Sequence, residues 1–291
     1  MLGCIVTGAA AFDLGPAILF VPADRPDRFE KAAERADAVI LDLEDAVAPP
    51  DKQAARRAIV QHPLDPMRTV VRVNPAGTDD FDADVVAVAG TAYRTVMLAK
   101  TESTADLDRL VAAVPDVRVI ALCETATGVV RAPELAEHPA VVALMWGSED
   151  LIASLGGTSS RRADGAYRDV VRHARSSVLL AAGAAGAAAI DAVHLALEDR
   201  DGLAQAAVDA AAVGFAASAC IHPGQVATVR AAYRPDAGSV AAARALLAAA
   251  VGAAGVFRHE GRMVDEPILR HARSVVARGS AAATTTNGST P

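Results

Sequence analysis

Aromatic residues are almost missing from this chain. Phe, Trp and Tyr make up 3% of its 291 residues although 52% are hydrophobic. A core large enough for a barrel-sized domain must therefore be built from Ala, Val, Leu and Ile. Cysteine is scarce as well. Cys4, Cys123 and Cys220 are odd in number and share no metal-ligand spacing, and two of them lie in apolar runs. They read as reduced core residues, so the expected compartment is the cytoplasm. Basic charge is short: 28 Lys and Arg stand against 35 Asp and Glu, for a net charge of −7. The basic excess of a nucleic-acid binder is lacking. No Lys or Arg precedes Arg25, so the charged start of a signal peptide is not there. The longest uncharged apolar stretch, Ser177–Ile190, is Ala/Gly-rich and ends at Asp191. Neither nucleic acid nor membrane is expected as a partner. No GxGxxG or P-loop follows an apolar run, and neither HExxH nor GxSxG occurs. Nucleotide folds, zinc proteases and serine triads thus lose their fingerprints.

What the chain does have is alternation. Eight continuous apolar runs read as strands buried on both faces: Ala17–Val21, Val39–Leu43, Thr69–Val73, Thr95–Leu98, Val117–Cys123, Val141–Trp146, Ala188–Val193 and Ala217–Ile221. Helical segments separate them at Asp27–Arg35, Asp51–Val60, Thr104–Ala113, Tyr167–Ala182, Gly202–Val213 and Gln225–Ala232. The pattern predicts an α/β fold, a closed (β/α)8 TIM barrel, with an open doubly wound sheet as its competitor. The long interval between the runs at Val141 and Ala188 holds Gly156–Ser160, expected as a flexible loop over the barrel mouth. The expected organisation is an N-terminal arm over residues 1–16, the barrel over 17–235, a C-terminal helical lid or subunit-contact segment over 236–278, and a disordered tail over 279–291.

Charged residues follow these runs, at the sheet edge where parallel α/β folds build function. Glu124 and Asp150 stand one βα unit apart, expected on a solvent-facing rim among small neighbours. Two carboxylates there suit a hard cation such as Mg²⁺, with Mn²⁺ as a substitute; alternatively each caps a helix or forms a salt bridge. Asp42 and Glu44 alternate in LDLEDAV and share a face, from which they can hold metal-bound waters. Asp45 reads as a helix N-cap. Arg72, inside the apolar run VVRVN, needs an anion. That anion is either a substrate carboxylate or an internal partner at Glu44 or Glu124. Lys100 holds either the acidic cluster or the substrate. Arg25, Arg28 and Lys31 flank the first βα turn and are either a phosphate site or a solvated face. His222 lies near the mouth, as a packing group or a ligand.

The blocks LFVPADRPDRFEKA, VILDLEDAV, VVRVN, VMLAK, ALCETATGV, WGSEDLIASLGG, CIHPGQV and GRMVDEPIL resemble the citrate lyase β-subunit-like proteins of the HpcH/HpaI aldolase/citrate lyase family. The resemblance runs in order from about Ile18 to Ala272. It implies a modified TIM barrel, commonly trimeric or hexameric, that breaks or forms C–C bonds in 3-hydroxyacyl-CoA thioesters such as malyl-, citramalyl-, 3-hydroxy-3-methylglutaryl- or citryl-CoA. By this resemblance Glu124 and Asp150 match the Mg²⁺ ligands, and Arg72 matches the substrate-binding arginine. Arg25 and Lys31 match positions that contact CoA, beside the Phe20–Pro22 turn. Asp265 matches an acid that reaches a neighbouring subunit's site and transfers a proton. Ala46 and Ala99 depart from the LEDGV and MLPK forms often seen. The other branch of the family implies an aldolase on free 2-keto acids, and a third possibility is a non-catalytic subunit that binds an acyl-carrier partner.

Overall fold

In a computed structural model, which describes residues 12–253 and 255–286, eight parallel strands close into a barrel in sequence order. They are β1 (Ala17–Pro22), β2 (Ala38–Asp42), β3 (Thr69–Val73), β4 (Thr95–Leu98), β5 (Arg118–Cys123), β6 (Val141–Trp146), β7 (Ala188–Asp191) and β8 (Ala217–Cys220). The helices are α1 (Phe29–Arg35), α2 (Lys52–Gln61), α3 (Asp79–Ala89), α4 (Thr104–Ala113), α5 (Ala126–Val130), α6 (Ala132–Ala136), α7 (Ser148–Ser154), α8 (Asp169–Ala185), α9 (Arg200–Val213), α10 (Pro223–Tyr233), α11 (Ala237–Ala249) and α12 (Glu266–Thr286). This is a (β/α)8 TIM barrel, and every strand expected from the apolar runs is present. The helices α3, α5, α6 and α7 are additions to that expectation. Their sequences are short or acidic, and caps start two of them: Thr78 accepts from Phe81 N at α3, and Thr125 accepts from Gly128 N at α5.

The strand period of two sorts each side chain. Ile18, Ile40, Val70, Ile120, Leu122 and Met145 belong to one buried cluster. Continuing their parity toward the strand ends reaches Phe20, Asp42, Arg72 and Glu124. The same inward face thus changes from aliphatic to ionic at the C-terminal rim. Asp42 and Arg72 are also direct partners in the β2–β3 register.

A second polar network lies behind β2 and β3. Lys52, 8% exposed, donates to Leu43 O at 2.8 Å, Glu44 O at 3.1 Å and Asn74 Oδ1 at 2.8 Å. Asn74 Nδ2 donates to Leu43 O at 2.9 Å and to Asp84 Oδ2 at 2.6 Å. Asp84 also accepts from Asn74 N at 2.9 Å and Arg56 Nε at 2.7 Å. The loops leaving β2 and β3 are joined by buried hydrogen bonds.

The chain divides into two compact units, Met1–Val229 and Arg230–Pro291. The first contains the barrel. The second holds α11, α12 and an antiparallel hairpin of β9 (Phe257–His259) and β10 (Arg262–Val264). Glu260 and Gly261, at φ +47° and +80°, form its two-residue turn. α12 runs to Thr286, past the Arg278 where the sequence reading ends the last helix, because the Ala281–Ala283 segment is strongly helix-forming. Cys4, much of the expected N-terminal arm and residues 287–291 of the expected tail lie outside the described residues. Among the described residues, no helix is long and apolar enough to cross a membrane.

Asp84 is fully buried, and its loss would strand the Asn74 N–H groups and leave Arg56 with Asp80 alone as its carboxylate partner. Asp84→Ala is expected to cost about 3 kcal/mol. A calorimetric scan should show Tm lower by roughly 6–12 °C; an unchanged Tm would mean the network is dispensable.

Candidate active site

The rim is organised by Arg72. Its Nε donates to Asp42 Oδ1 at 2.7 Å and its Nη2 to Asp42 Oδ2 at 2.6 Å, a bidentate fork. Nη1 lies 3.1 Å from Glu44 Oε2, and Cζ sits 4.9 Å from the Phe20 ring centroid. Burial alone would weaken the guanidinium's hold on its proton. Asp42, Glu44 and Glu124 more than reverse that and leave the pKa raised. Of the internal partners expected for Arg72, Glu44 is found and Asp42 is added. The Asp42 fork takes two of five guanidinium N–H donors, so the group is anchored without being exhausted.

Asp42 also accepts from Glu44 N at 2.9 Å and Ala46 N at 3.3 Å. Its oxygens are occupied by Arg72 and by its own loop, so it acts as a clamp. Glu44 turns toward Arg72 and Lys100. Burial pushes its pKa up against the pull of both cations. Asp45 does not cap a helix, because the following turn begins only at Pro49, after Ala48. It pairs instead with Lys100 Nζ at 3.1 Å. Burial would raise its pKa, but Lys100 lowers it.

Glu124 and Asp150 come from adjacent strand ends. Neither caps a helix: Thr125 caps α5, and Gly147 precedes α7, whose first turn contains Asp150. Glu124 is not on a solvent-facing rim as the sequence suggested; it is 3% exposed. Residues on β5 two positions apart share the interior, and Glu124 continues the face of Leu122 just before the chain turns out. Its Oε1 accepts Lys100 N at 3.1 Å. Gly147 is required beside it, since a Cβ there would lie 2.9 Å from Glu124 Oε2. Burial, and then the charge of Asp150, push Glu124 up to about 8. Two hard oxygen donors that repel one another fit a divalent cation, which would favour both ionised forms. Among the described residues, no group of three or more His, Cys, Asp or Glu side chains is placed to hold a metal ion. That suits Mg²⁺, which accepts one or two carboxylates and fills its remaining positions with water and ligand oxygens.

Lys100 Nζ bonds Glu44 and lies 3.5 Å from Asp150 Oδ1. Its contacts with acids raise its pKa despite burial. Arg72, Asp42, Glu44, Lys100, Glu124 and Asp150 are therefore brought together, with Phe20 beneath Arg72. Pro22 ends β1 opposite Asp42. Arg25 and Lys31 stand outside this cluster and are exposed; Arg25 is forked onto Asp27 at 2.9 and 3.0 Å. His222 is exposed and accepts Gly224 N at Nδ1, 3.1 Å away. Asp265, in the second unit, accepts Ile268 N at 3.3 Å and caps α12.

The segment expected as a flexible loop is tied down. Ser160 is buried and donates to Glu149 Oε1 at 2.6 Å, and Gly157 N donates to Ile152 O at 2.8 Å. Tyr167 packs edge-on to Trp146, with ring centroids 5.6 Å apart, under the guanidinium of Arg161. The sequence reading missed Lys52 and Asn74, which fix the backbone of Glu44. The only local signal was Asn74 directly after the Arg72 strand.

The family model for the HpcH/HpaI aldolase/citrate lyase matches residues 17–223. A citrate lyase subunit beta-like protein of Mycobacterium tuberculosis is 58% identical over 268 residues, covering 92% of this chain and 97% of its own. The crystal structure of the M. tuberculosis protein CitE with magnesium, acetoacetate and coenzyme A superposes with a TM-score of 0.87 at 56% identity, over 92% of this chain and 98% of that one. The M. tuberculosis citrate lyase beta subunit with oxaloacetate and magnesium gives a TM-score of 0.74 at 60% identity, over 76% and 98%.

The raised Glu124 pKa has a stability consequence in metal-free protein. Because the folded value of about 8 exceeds the ordinary 4.5, the fold favours the neutral acid. That stabilisation is complete below the ordinary value and is lost as pH rises through about 8. Under chelation, Glu124→Gln should therefore raise Tm, with a gain that grows from about pH 5 to about pH 8 and then levels off. A gain independent of pH in thermal melts would contradict the assignment.

Proposed function

The chain belongs to the HpcH/HpaI aldolase/citrate lyase family and is a carbon–carbon lyase, and we propose that its substrate is a 3-hydroxyacyl-CoA thioester handled with Mg²⁺ at Glu124 and Asp150. The observation that carries this reading is the pair itself. Two mutually repelling carboxylates, one of them buried, sit at the barrel mouth beside Arg72 and Lys100. The CoA- and acetoacetate-bound relative supports the acyl-CoA class.

Bound there, Mg²⁺ would supply Lewis-acid polarisation of the substrate's carboxylate and keto or hydroxyl oxygens. Arg72, held rigid by Asp42, would fix a substrate carboxylate with its remaining N–H donors. In cleavage a base takes the hydroxyl proton, the carbinol oxygen becomes a carbonyl as the C–C bond breaks, and the bonding pair leaves as a thioester enolate that must be protonated. Asp265 is our candidate for that proton donor. In this reading it comes from a neighbouring subunit of a homotrimer or homohexamer, in the cytoplasm. Phe20, Pro22, Arg25 and Lys31 would contact the CoA portion.

A second reading, a metal-dependent aldolase on free 2-keto acids, draws on one observation: Arg25 is already paired with Asp27, not left open for phosphate. A panel of malyl-, citramalyl-, 3-hydroxy-3-methylglutaryl- and citryl-CoA separates the two. We expect release of the shorter acyl-CoA from at least one thioester, abolished by EDTA and restored by Mg²⁺. Combined Arg25→Glu and Lys31→Glu changes should raise KM for it about tenfold or more. Turnover of free keto acids alone, indifferent to these charge reversals, would select the aldolase.

The shared site has its own test. Asp265→Asn and Glu124→Ala chains should each be nearly inactive, and subunit exchange between them should recover part of the activity. Recovery of nothing despite demonstrated exchange would leave Asp265 as a helix cap only.

A further inference from the structure

The acidic centre already holds a cation of its own. Lys100 touches all four carboxylates around it. Its Nζ bonds Glu44 and lies 3.1 Å from Asp45 Oδ2 and 3.5 Å from Asp150 Oδ1, while its backbone N–H donates to Glu124 Oε1 at 3.1 Å. The backbone of Lys100 is in the left-handed region, at φ +48°. A long side chain persists there only when its surroundings hold it, and here main chain and side chain are both held by acids. Arg72 is committed to Asp42 and Glu44. Among the described ion pairs, Lys100 is the one cation recorded at Asp150.

We propose that the Lys100 ammonium is the resident counter-ion of the metal-free centre, and that it competes with the divalent ion for Asp150. The proposal rests on reading Glu124 and Asp150 as the metal pair. Four carboxylates with one lysine among them bind a divalent cation more weakly than the same carboxylates alone, because each cation lowers the negative potential felt by the other. In exchange, the centre carries less unmet negative charge before metal arrives. With Asp150 given over to a divalent ion, the ammonium would keep Glu44 and Asp45 and have one donor left for an anionic oxygen of the substrate, so metal precedes substrate anion.

Two variants test this in the full chain without substrate. Lys100→Asn removes the charge but suits the left-handed backbone, where Asn is enriched. Lys100→Arg keeps the charge. Mn²⁺ binding, followed by the loss of the free-ion EPR signal, should tighten about tenfold or more in the Asn variant and stay near wild type in the Arg variant. The Asn variant should also melt lower under chelation and gain more Tm on adding Mn²⁺. A folded Asn variant that binds Mn²⁺ no more tightly than wild type overturns the proposal while leaving the metal pair intact. Wild-type protein that binds no Mn²⁺ overturns the metal reading and this proposal with it.

Discussion

A buried guanidinium fixes the mouth of this barrel. Arg72 is 9% exposed and continues the aliphatic inner face of β3. A charge in that position is tolerated only if it is fully paired. Asp42, its register partner on β2, supplies both oxygens. Those oxygens also gather the N–H groups of Glu44 and Ala46, which sets the path of the loop after β2. The loop delivers Glu44 to Lys100, and Lys100 in turn delivers its N–H to Glu124. Removing one member of a buried pair typically costs ~3–5 kcal/mol, because it leaves the other charge stranded. Here the loss would also release the loop that carries Glu44 and Asp45.

Pairing does not neutralise the rim. Asp42, Glu44, Asp45, Glu124 and Asp150 face only Arg72 and Lys100. The Arg72–Asp42 fork closes on itself, and Lys100 is shared among the rest. Glu124 is 3% exposed, and burial first, then the charge of Asp150, push its pKa up to about 8. A site short of positive charge, with small residues at Gly147 and Ser148 around it, is built to receive a cation from outside the chain.

Much of this was legible in the sequence because parallel strands announce themselves twice. The apolar run gives the strand, and a charged residue at its end or shortly after it marks the rim. Asp42, Arg72, Lys100, Glu124 and Asp150 were singled out by that rule, and the period of two put Asp42 and Glu44 on one face. Four things were not readable. Whether Glu124 is buried or open depends on what the neighbouring strand end packs against it, here Gly147, which its own apolar run does not define. Asp45 looked like a cap because its partner, Lys100, is distant in sequence. Lys52, Asn74 and Asp84 were invisible for the same reason: each is an ordinary polar residue locally, and only the packing of α2 and α3 behind β2 and β3 makes them a buried network. The hairpin over residues 257–264 is too short for a hydrophobic period to register.

The chemistry the rim can support also follows from what is absent at its reactive level. Cys123 precedes Glu124 and, by strand alternation, points away from the barrel interior. Burial pushes its thiol up to about 12, so it supplies no thiolate nucleophile. Asp42 is spent on Arg72, and Glu44 on two cations. No side chain at the rim is both activated and free to attack a carbonyl. What remains is charge placement: anchored positive groups, a repelling carboxylate pair, and the apolar ring of Phe20 beneath Arg72. Such a site can stabilise an anion that forms when a C–C bond breaks. The electrostatics of the rim thus suit the carbon–carbon lyase chemistry of the family.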